Sequence, residues 1–311
     1  MSGLAPLVVI LGPTASGKSA LGIDLAKQFN GEILVCDSTQ IYRHFDIGTG
    51  KVPQVEQQGI THHLVDLIEP QGIFTAGEYR RRALAVLADL RERGKLPIIT
   101  AGTGLYLRAL LEGLADVPER SETIRERLRT IAESRGEPHL HRLLSRLDPE
   151  SAERIVVQDT QKIIRAIEMR VIAGKPVGEI HRGGRTPLEG YQPLKIGLLP
   201  AREALYARIH ARIDAMIQAG WIEEVASLIR RGIPPDVKPF QFIGYSEWRE
   251  HLAGNLTKKE ATQKIQQATR RFAKRQLTWF RRESNVHWLA CFGDAPEISA
   301  AAHQILNSQI S

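Results

Sequence analysis

LVVILGPTASGKSALGIDLAKQF, residues 7–29, is the stretch that decides the fold. Leu7 to Leu11 is a short apolar run rich in β-branched residues, the composition of a buried strand. Gly12 to Ser19 then spells G-x-x-x-x-G-K-S. From Ser19 to Phe29 the apolar residues Leu21, Leu25 and Phe29 recur at intervals of four, which is one face of a helix, and Asn30-Gly31 supplies the stop. Strand, glycine loop and helix in this order wrap successive backbone N–H groups and a helix N-terminus around phosphates. Gly12, Pro13, Thr14, Ala15, Ser16, Gly17, Lys18 and Ser19 are therefore expected to hold a phosphate group. Lys18 adds a full positive charge, and the Ser19 hydroxyl is the expected ligand for Mg²⁺.

The pattern continues outward. Glu32 to Cys36 reads as a second buried strand with Asp37 just past its end, and His63 to Ile68 as a third. Ala76 to Arg93 is a predicted helix with Tyr79, Ala83, Val86, Leu87 and Leu90 on one face and Gly94 as its stop. Leu96 to Thr100 is another strand, and Gly102-Thr103-Gly104 leads into a helix through Leu111. This alternation predicts an α/β fold: a P-loop core whose mostly parallel sheet is covered by helices. Ligands of such sheets sit outside the carboxyl ends of the strands, where the Gly12 loop, Asp37 and Thr103 all fall.

Near Val117 the texture changes. Ser121 to Arg135, His139 to Leu147, and Thr160 to Ala173 read as helices, the last with Asp159 as N-cap and Gly174 after its end. No strand is evident until Leu194 to Leu199. The chain is thus expected to comprise the first part of the core (1–116), an all-helical insertion domain (117–191), and the second part of the core with basic C-terminal helices (192–311). HRGGRTPLEG, residues 181–190, reads as a hinge or a flexible loop. Ala204 to Ala219 reads as a helix with Leu205, Ile209, Ile213 and Ile217 on one face and Arg208 and Arg212 beside it.

Charge narrows the partners. The net charge is +7, from 42 Lys and Arg against 35 Asp and Glu. Much of the excess lies in TKKEATQKIQQATRRFAKRQLTWFRR, residues 257–282, where Phe272, Trp279 and Phe280 are interleaved with cations. A solvated helix usually mixes both signs, so this stretch is expected to touch nucleic acid. The two cysteines, Cys36 and Cys291, are far apart and give no sign of a disulfide framework or zinc site. His62-His63 is set aside as a metal pair because neighbours on a strand point to opposite faces. Trp221, Trp248 and Trp288 read as packing residues. No apolar run is long enough to span a bilayer, and Met1 to Pro6 has no basic leader, so the expectation is a cytoplasmic monomer with no membrane partner.

The loop alone leaves the reaction open. A kinase moves a phosphoryl group, an ATPase hydrolyses one, and a third kind of enzyme discards the phosphates. EILVCDS ends in Asp37, as a metal-binding strand of an NTPase would. The DSTQIYRHFDIGTGK that follows is better suited to reading a substrate. GPTASGKS, DSTQIYRHFDIGTGK, THHLVDLIEP, AGTGLYLRALLEG and AKRQLTWFRR, in this order, resemble the bacterial tRNA dimethylallyltransferases, also called tRNA isopentenyltransferases. The resemblance runs from about Leu7 to Trp288. It departs from the family at Ser19, where Thr is commoner, and at Ala101, where Gly is usual. GTGKVP is one residue longer than the usual spacing, so Lys51 receives no fixed role.

The resemblance implies transfer of a dimethylallyl group from dimethylallyl diphosphate to N6 of an adenine beside the anticodon, with a tRNA anticodon stem-loop and dimethylallyl diphosphate as partners and diphosphate released. Departure of diphosphate concentrates charge that the loop, Lys18 and Mg²⁺ stabilise. Arg212 matches an arginine thought to touch the diphosphate. Asp37 is the candidate base for the amine, with a metal-ligand role as its alternative; Thr103 is expected to hydrogen-bond near the amine or the diphosphate, or else to cap the helix after it. The match also implies RNA contacts by Asp37, Ser38, Thr39, Gln40 and Thr103; by Gln161, Lys162, Ile163, Ile164 and Arg165; by Phe242, Ile243, Gly244, Tyr245, Ser246 and Glu247; and by Arg275, Gln276, Leu277, Thr278, Trp279, Phe280, Arg281 and Arg282. Arg125 is a further candidate. A small-molecule kinase, an RNA-stimulated ATPase and a prenyltransferase acting on free adenine nucleotides are the rival readings.

Overall fold

A computed structural model describes residues 4–115, 117–182 and 184–310. The leader reading over residues 1–3, the boundary residue Asp116, and Gly183 of the glycine-rich segment lie outside the described residues. In chain order the elements are β1 (Ala5–Leu11), α1 (Lys18–Gln28), β2 (Gly31–Cys36), β3 (His62–His63), α2 (Ala76–Glu92), β4 (Leu96–Ala101) and α3 (Gly104–Glu112). Five helices follow: α4 (Glu122–Arg135), α5 (Glu137–Leu147), α6 (Pro149–Arg154), α7 (Thr160–Ala173) and α8 (Val177–Arg182). The chain then forms β5 (Tyr191–Leu198), α9 (Arg202–Gln218), α10 (Trp221–Arg230), a 3₁₀ turn (Lys238–Gln241), α11 (Tyr245–Leu252), α12 (Lys258–Phe280), β6 (Val286–Leu289) and α13 (Pro296–Ile310).

All six strands are parallel, in the order β3-β2-β4-β1-β5-β6. β2 and β4 are buried along their whole length, as strands covered on both faces must be. The aliphatic core between sheet and helices takes Val8 and Ile10 from β1, Leu21 and Leu25 from α1, and Ala302 and Leu306 from α13. β1 lies between β4 and β5, so the loops after β1, β4 and β2 open side by side at the carboxyl edge. This is where an open parallel sheet binds ligands.

Residues 112–188 form a second compact unit with its own core of Leu128, Leu140, Leu144, Ile163 and Ile167. α4 and α7 start as sequence anticipates: the Ser121 side chain accepts from Ile124 N, and the Asp159 side chain from Lys162 N.

Three expectations need correction. The strand expected over His63 to Ile68 ends at His63, because Leu64 (φ 68°) and Asp66 (φ 51°) turn left-handed; only an isolated bridge from Tyr42 to Ile68 follows. Tyr191, read as the last insertion residue, begins β5 opposite Ala5. Pro193 hid that start. It is tolerated because β6 joins β5 only from Lys195 onward, so that side of β5 is an edge at Pro193. His181 and Arg182, read as loop, end α8.

Candidate active site

The phosphate loop leaves β1 and closes at Gly17 (φ 90°), where a Cβ would meet Gly293 N at 2.6 Å. That contact explains why glycine stands there. The segment after β6 presses on the loop, and Gly293 N donates to Ser16 O at 2.8 Å. Not every N–H of the loop faces a ligand. Thr14 N donates to Gln276 Oε1 at 2.8 Å, and Ser16 N to Pro13 O at 3.2 Å. Ser16 Oγ is fully buried with no hydrogen-bond partner among the described residues. The Lys18 ammonium donates to Gly12 O (2.9 Å) and Pro13 O (2.8 Å). Burial pulls its pKa down to about 8, opposed by the Asp37 charge and reinforced by Arg212.

Asp37 follows β2 directly. Its Oδ1 accepts from Thr39 N (2.8 Å) and Thr39 Oγ1 (2.7 Å), forming a tight turn. Its Oδ2 lies against Gly102, where any Cβ would collide with it. Thr103 Oγ1 accepts from Ser38 N at 2.9 Å and donates to Ser38 Oγ at 3.2 Å. It also receives Leu107 N at its carbonyl, 3.2 Å away, so it starts α3 while holding the Asp37 turn. Burial lowers the Arg212 pKa, and the Asp37 charge opposes this. Burial pushes the Cys36 thiol up to about 12, which makes it an inert core group.

Two cavities meet here. A cleft of about 1020 Å³ runs past Lys18, Ser19, Arg208 and Arg212. A slot of about 310 Å³ is lined by Asp37, Ile213, Met216, Trp221 and Phe242. Ala15 and Arg212 belong to both, so a polar chamber that holds Lys18 and Arg212 opens into an apolar one. Ser19 lines the cleft, and its hydroxyl has no hydrogen-bond partner among the described residues. The described residues hold no group of three or more His, Cys, Asp or Glu that could bind a metal. Mg²⁺ needs no such cage, since it keeps waters and substrate phosphates as most of its ligands, so one free hydroxyl beside a phosphate loop fits it.

The remaining expected contacts divide. Arg275, Thr278, Trp279 and Arg282 line a shallow concavity on the outer side of α12, and Arg281 is exposed just beyond it. Gln276 and Phe280 point inward instead, Phe280 fully buried; Leu277 is half-buried. Phe242 and Ile243 line the apolar slot. Gly244 and Tyr245 are buried, and Tyr245 OH donates to Glu224 Oε1 at 2.6 Å. Gly244 N and Ser246 Oγ both donate to Glu247 Oε2 (2.7 and 2.8 Å). Gly244, Ser246 and Glu247 therefore hold one another, and Tyr245 is held by Glu224. In the helical unit Gln161 and Lys162 are exposed, but Ile163 and Ile164 are core residues. Arg165 pairs with Glu168 at 2.6 Å. The expectation that Arg125 reaches RNA gives way: it is buried, and its Nε and Nη2 donate to the fully buried Glu168 at 2.9 and 3.1 Å.

Sequence reading missed Glu224 and Asp294, gave Gln276 another role and left Lys51 without one. Glu224 also accepts from Asp46 N (3.0 Å) and Ile47 N (2.8 Å), tying down the segment after Asp37. Asp294 holds Arg208 through two bonds of 2.6 and 2.8 Å at the cleft. Gln276 was read as a nucleic-acid contact and is a bond between loops. Lys51, left without a role, bonds Tyr42 O (2.6 Å), Asp46 (2.6 Å) and Asp66 (2.5 Å) and so braces the same segment. No local pattern marks Glu224, Asp294 or Gln276, since each acts across the chain, whereas Lys51 ties together residues within 15 positions of it.

Fold and loop together define an α/β protein of the P-loop class. A family model described as IPP transferase matches residues 40–283. The chain belongs to that family. It is 49% identical to the tRNA dimethylallyltransferase of Solibacter usitatus, over 96% of each chain. To that of Koribacter versatilis it is also 49% identical, over 97% of this chain and 98% of the relative. Among solved structures it resembles the tRNA isopentenylpyrophosphate transferase of Bacillus halodurans (36% identity, TM-score 0.69, 97% of each chain). It also resembles a eukaryotic dimethylallyltransferase acting on tRNA, at 25% identity and TM-score 0.82, covering 98% of this chain and 79% of that one.

Proposed function

We propose that this chain transfers a dimethylallyl group from dimethylallyl diphosphate to N6 of an adenine beside the anticodon of tRNA, releasing diphosphate. The observation that carries the reading is the junction at Ala15 and Arg212, where a polar cleft holding the phosphate loop, Lys18 and Arg212 meets an apolar slot with Asp37 on its wall. A diphosphate ester of a small apolar alcohol has those two halves in that order.

The bond between allylic C1 and the bridging oxygen breaks, and its electron pair leaves on the diphosphate. The loop's free N–H groups, Lys18 and Arg212 receive that charge from fixed positions. The N6 lone pair forms the new bond to C1, and its proton passes to Asp37, held in place through Thr39, Gly102 and Thr103. Ser19 would hold Mg²⁺, which when bound neutralises diphosphate charge. The adenine must leave its stack to enter, and the basic outer side of α12 suits the RNA backbone around it. One chain supplies every group in this account, so a monomer suffices. A kinase or ATPase reading leaves the apolar slot unused. No helix among the described residues is long and apolar enough to cross a membrane.

Mass analysis of tRNA nucleosides after incubation with dimethylallyl diphosphate tests the proposal, with AMP as a parallel acceptor. Prenylated adenosine from tRNA is expected. Unmodified tRNA, or AMP as the better acceptor, would overturn it.

A further inference from the structure

Gln276 sits on α12 but turns away from the helix's basic face. It is 6% exposed. Its Oε1 accepts from Thr14 N at 2.8 Å, and its Nε2 donates to Gly102 O at 2.8 Å. A single side-chain amide thus bridges the loop after β1 and the loop after β4. Gly102 in turn packs against Asp37 Oδ2, closely enough that no side chain fits there. The bridge therefore runs from the phosphate loop through Gln276 and Gly102 to the carboxylate. Asn is a methylene shorter, Glu can only accept when ionised, and Met can do neither; only glutamine's length offers an acceptor and a donor at once.

We propose that Gln276 is a positioning residue that fixes the spacing between the phosphate loop and Asp37; this rests on the transfer reading above. The two ends of that bridge serve the two halves of the reaction. Bond breaking happens over the loop, and proton removal happens at Asp37. Displacing one from the other by 1 Å is enough to cost about 10²-fold in rate. Because Gln276 is buried, losing either bond also strands a polar group, so its neighbours must shift. The bridge also uses up Thr14 N–H, which leaves the diphosphate to other donors of the loop.

The test compares Gln276→Met and Gln276→Glu with wild type in the full-length protein, using a tRNA transcript and dimethylallyl diphosphate, at a temperature where thermal unfolding curves show all three folded. For Gln276→Met, single-turnover transfer at saturating substrates is expected to fall about 10–100-fold while tRNA affinity stays within about twofold, a loss in kcat and not in binding. For Gln276→Glu, the rate relative to wild type at each pH is expected to rise as pH falls, because a protonated carboxyl regains the donor to Gly102. A Gln276→Met rate within about twofold of wild type, or a flat Gln276→Glu ratio, would overturn the proposal. Wild-type protein that prenylates no tRNA would instead sink the transfer reading, and this inference with it.

Discussion

Asp37 and Lys18 are neighbours in charge, and their chemistry can be separated by experiment. Asp37→Asn keeps size and most of the hydrogen-bonding shape, and Oδ1 can still serve Thr39. It cannot take a proton at neutral pH. Transfer is expected to slow by about 10²–10⁴ with near-normal binding of both substrates. If Asp37 ligates metal instead, the defect appears in diphosphate binding and recedes with excess Mg²⁺, so single-turnover rates across an Mg²⁺ titration distinguish the two. For Lys18 the sign follows from its lowered pKa of about 8. Above that pH the free enzyme holds a neutral amine, while an anion favours the ammonium. Binding of dimethylallyl diphosphate without tRNA should therefore take up a proton and weaken as pH rises past about 8. Calorimetry in buffers of different ionisation enthalpy reads this, and Lys18→Met should lose it. An affinity in wild type that stays level from pH 7 to pH 9 would mean that Lys18 stays charged throughout, and a Lys18→Met variant that binds dimethylallyl diphosphate as tightly as wild type would remove Lys18 from the diphosphate site.

At the scale of elements, α12 has two jobs on two faces. The inner face carries Ala261, Ile265, Ala273, Gln276 and Phe280, and the outer face carries Lys274 and Thr278, with Arg282 just past the helix end beside them. Sequence marks such a helix as basic and amphipathic, yet it cannot say which polar residue turns inward. Gln276 looks like one more polar residue in a run of them, and its partners are 262 and 174 positions away. The outer face makes a quantitative prediction. Lys274 and Arg282 are exposed, so replacing both with Ala should leave the thermal midpoint in place. If each meets one phosphate, the slope of log affinity for tRNA against log salt should fall in magnitude by about 1.4–1.8. An unchanged slope would take that face off the RNA.

At the scale of the molecule, what was legible was what repeats locally. β1, the loop and α1 are one contiguous signal, and the strand–helix alternation gave the sheet and its carboxyl edge. Where the candidate site lies was legible for the same reason: Lys18, Asp37 and Thr103 each come after a strand. What stayed hidden was tertiary. Glu224, Asp294 and the buried pair of Arg125 with Glu168 are charged residues in charged neighbourhoods until the chain folds. The helical unit makes this testable, because its core is its own. Leu144 is fully buried there. Leu144→Ala should cost about 2–5 kcal/mol, the usual range for a buried leucine. If residues 112–188 open as a separate cooperative unit, hydrogen exchange should speed up across α4, α5 and α7 while amides of β1, β2 and β4 keep their protection. Equal loss of protection in both would mean that the chain unfolds as one unit, and the separate cores would then carry no separate stability.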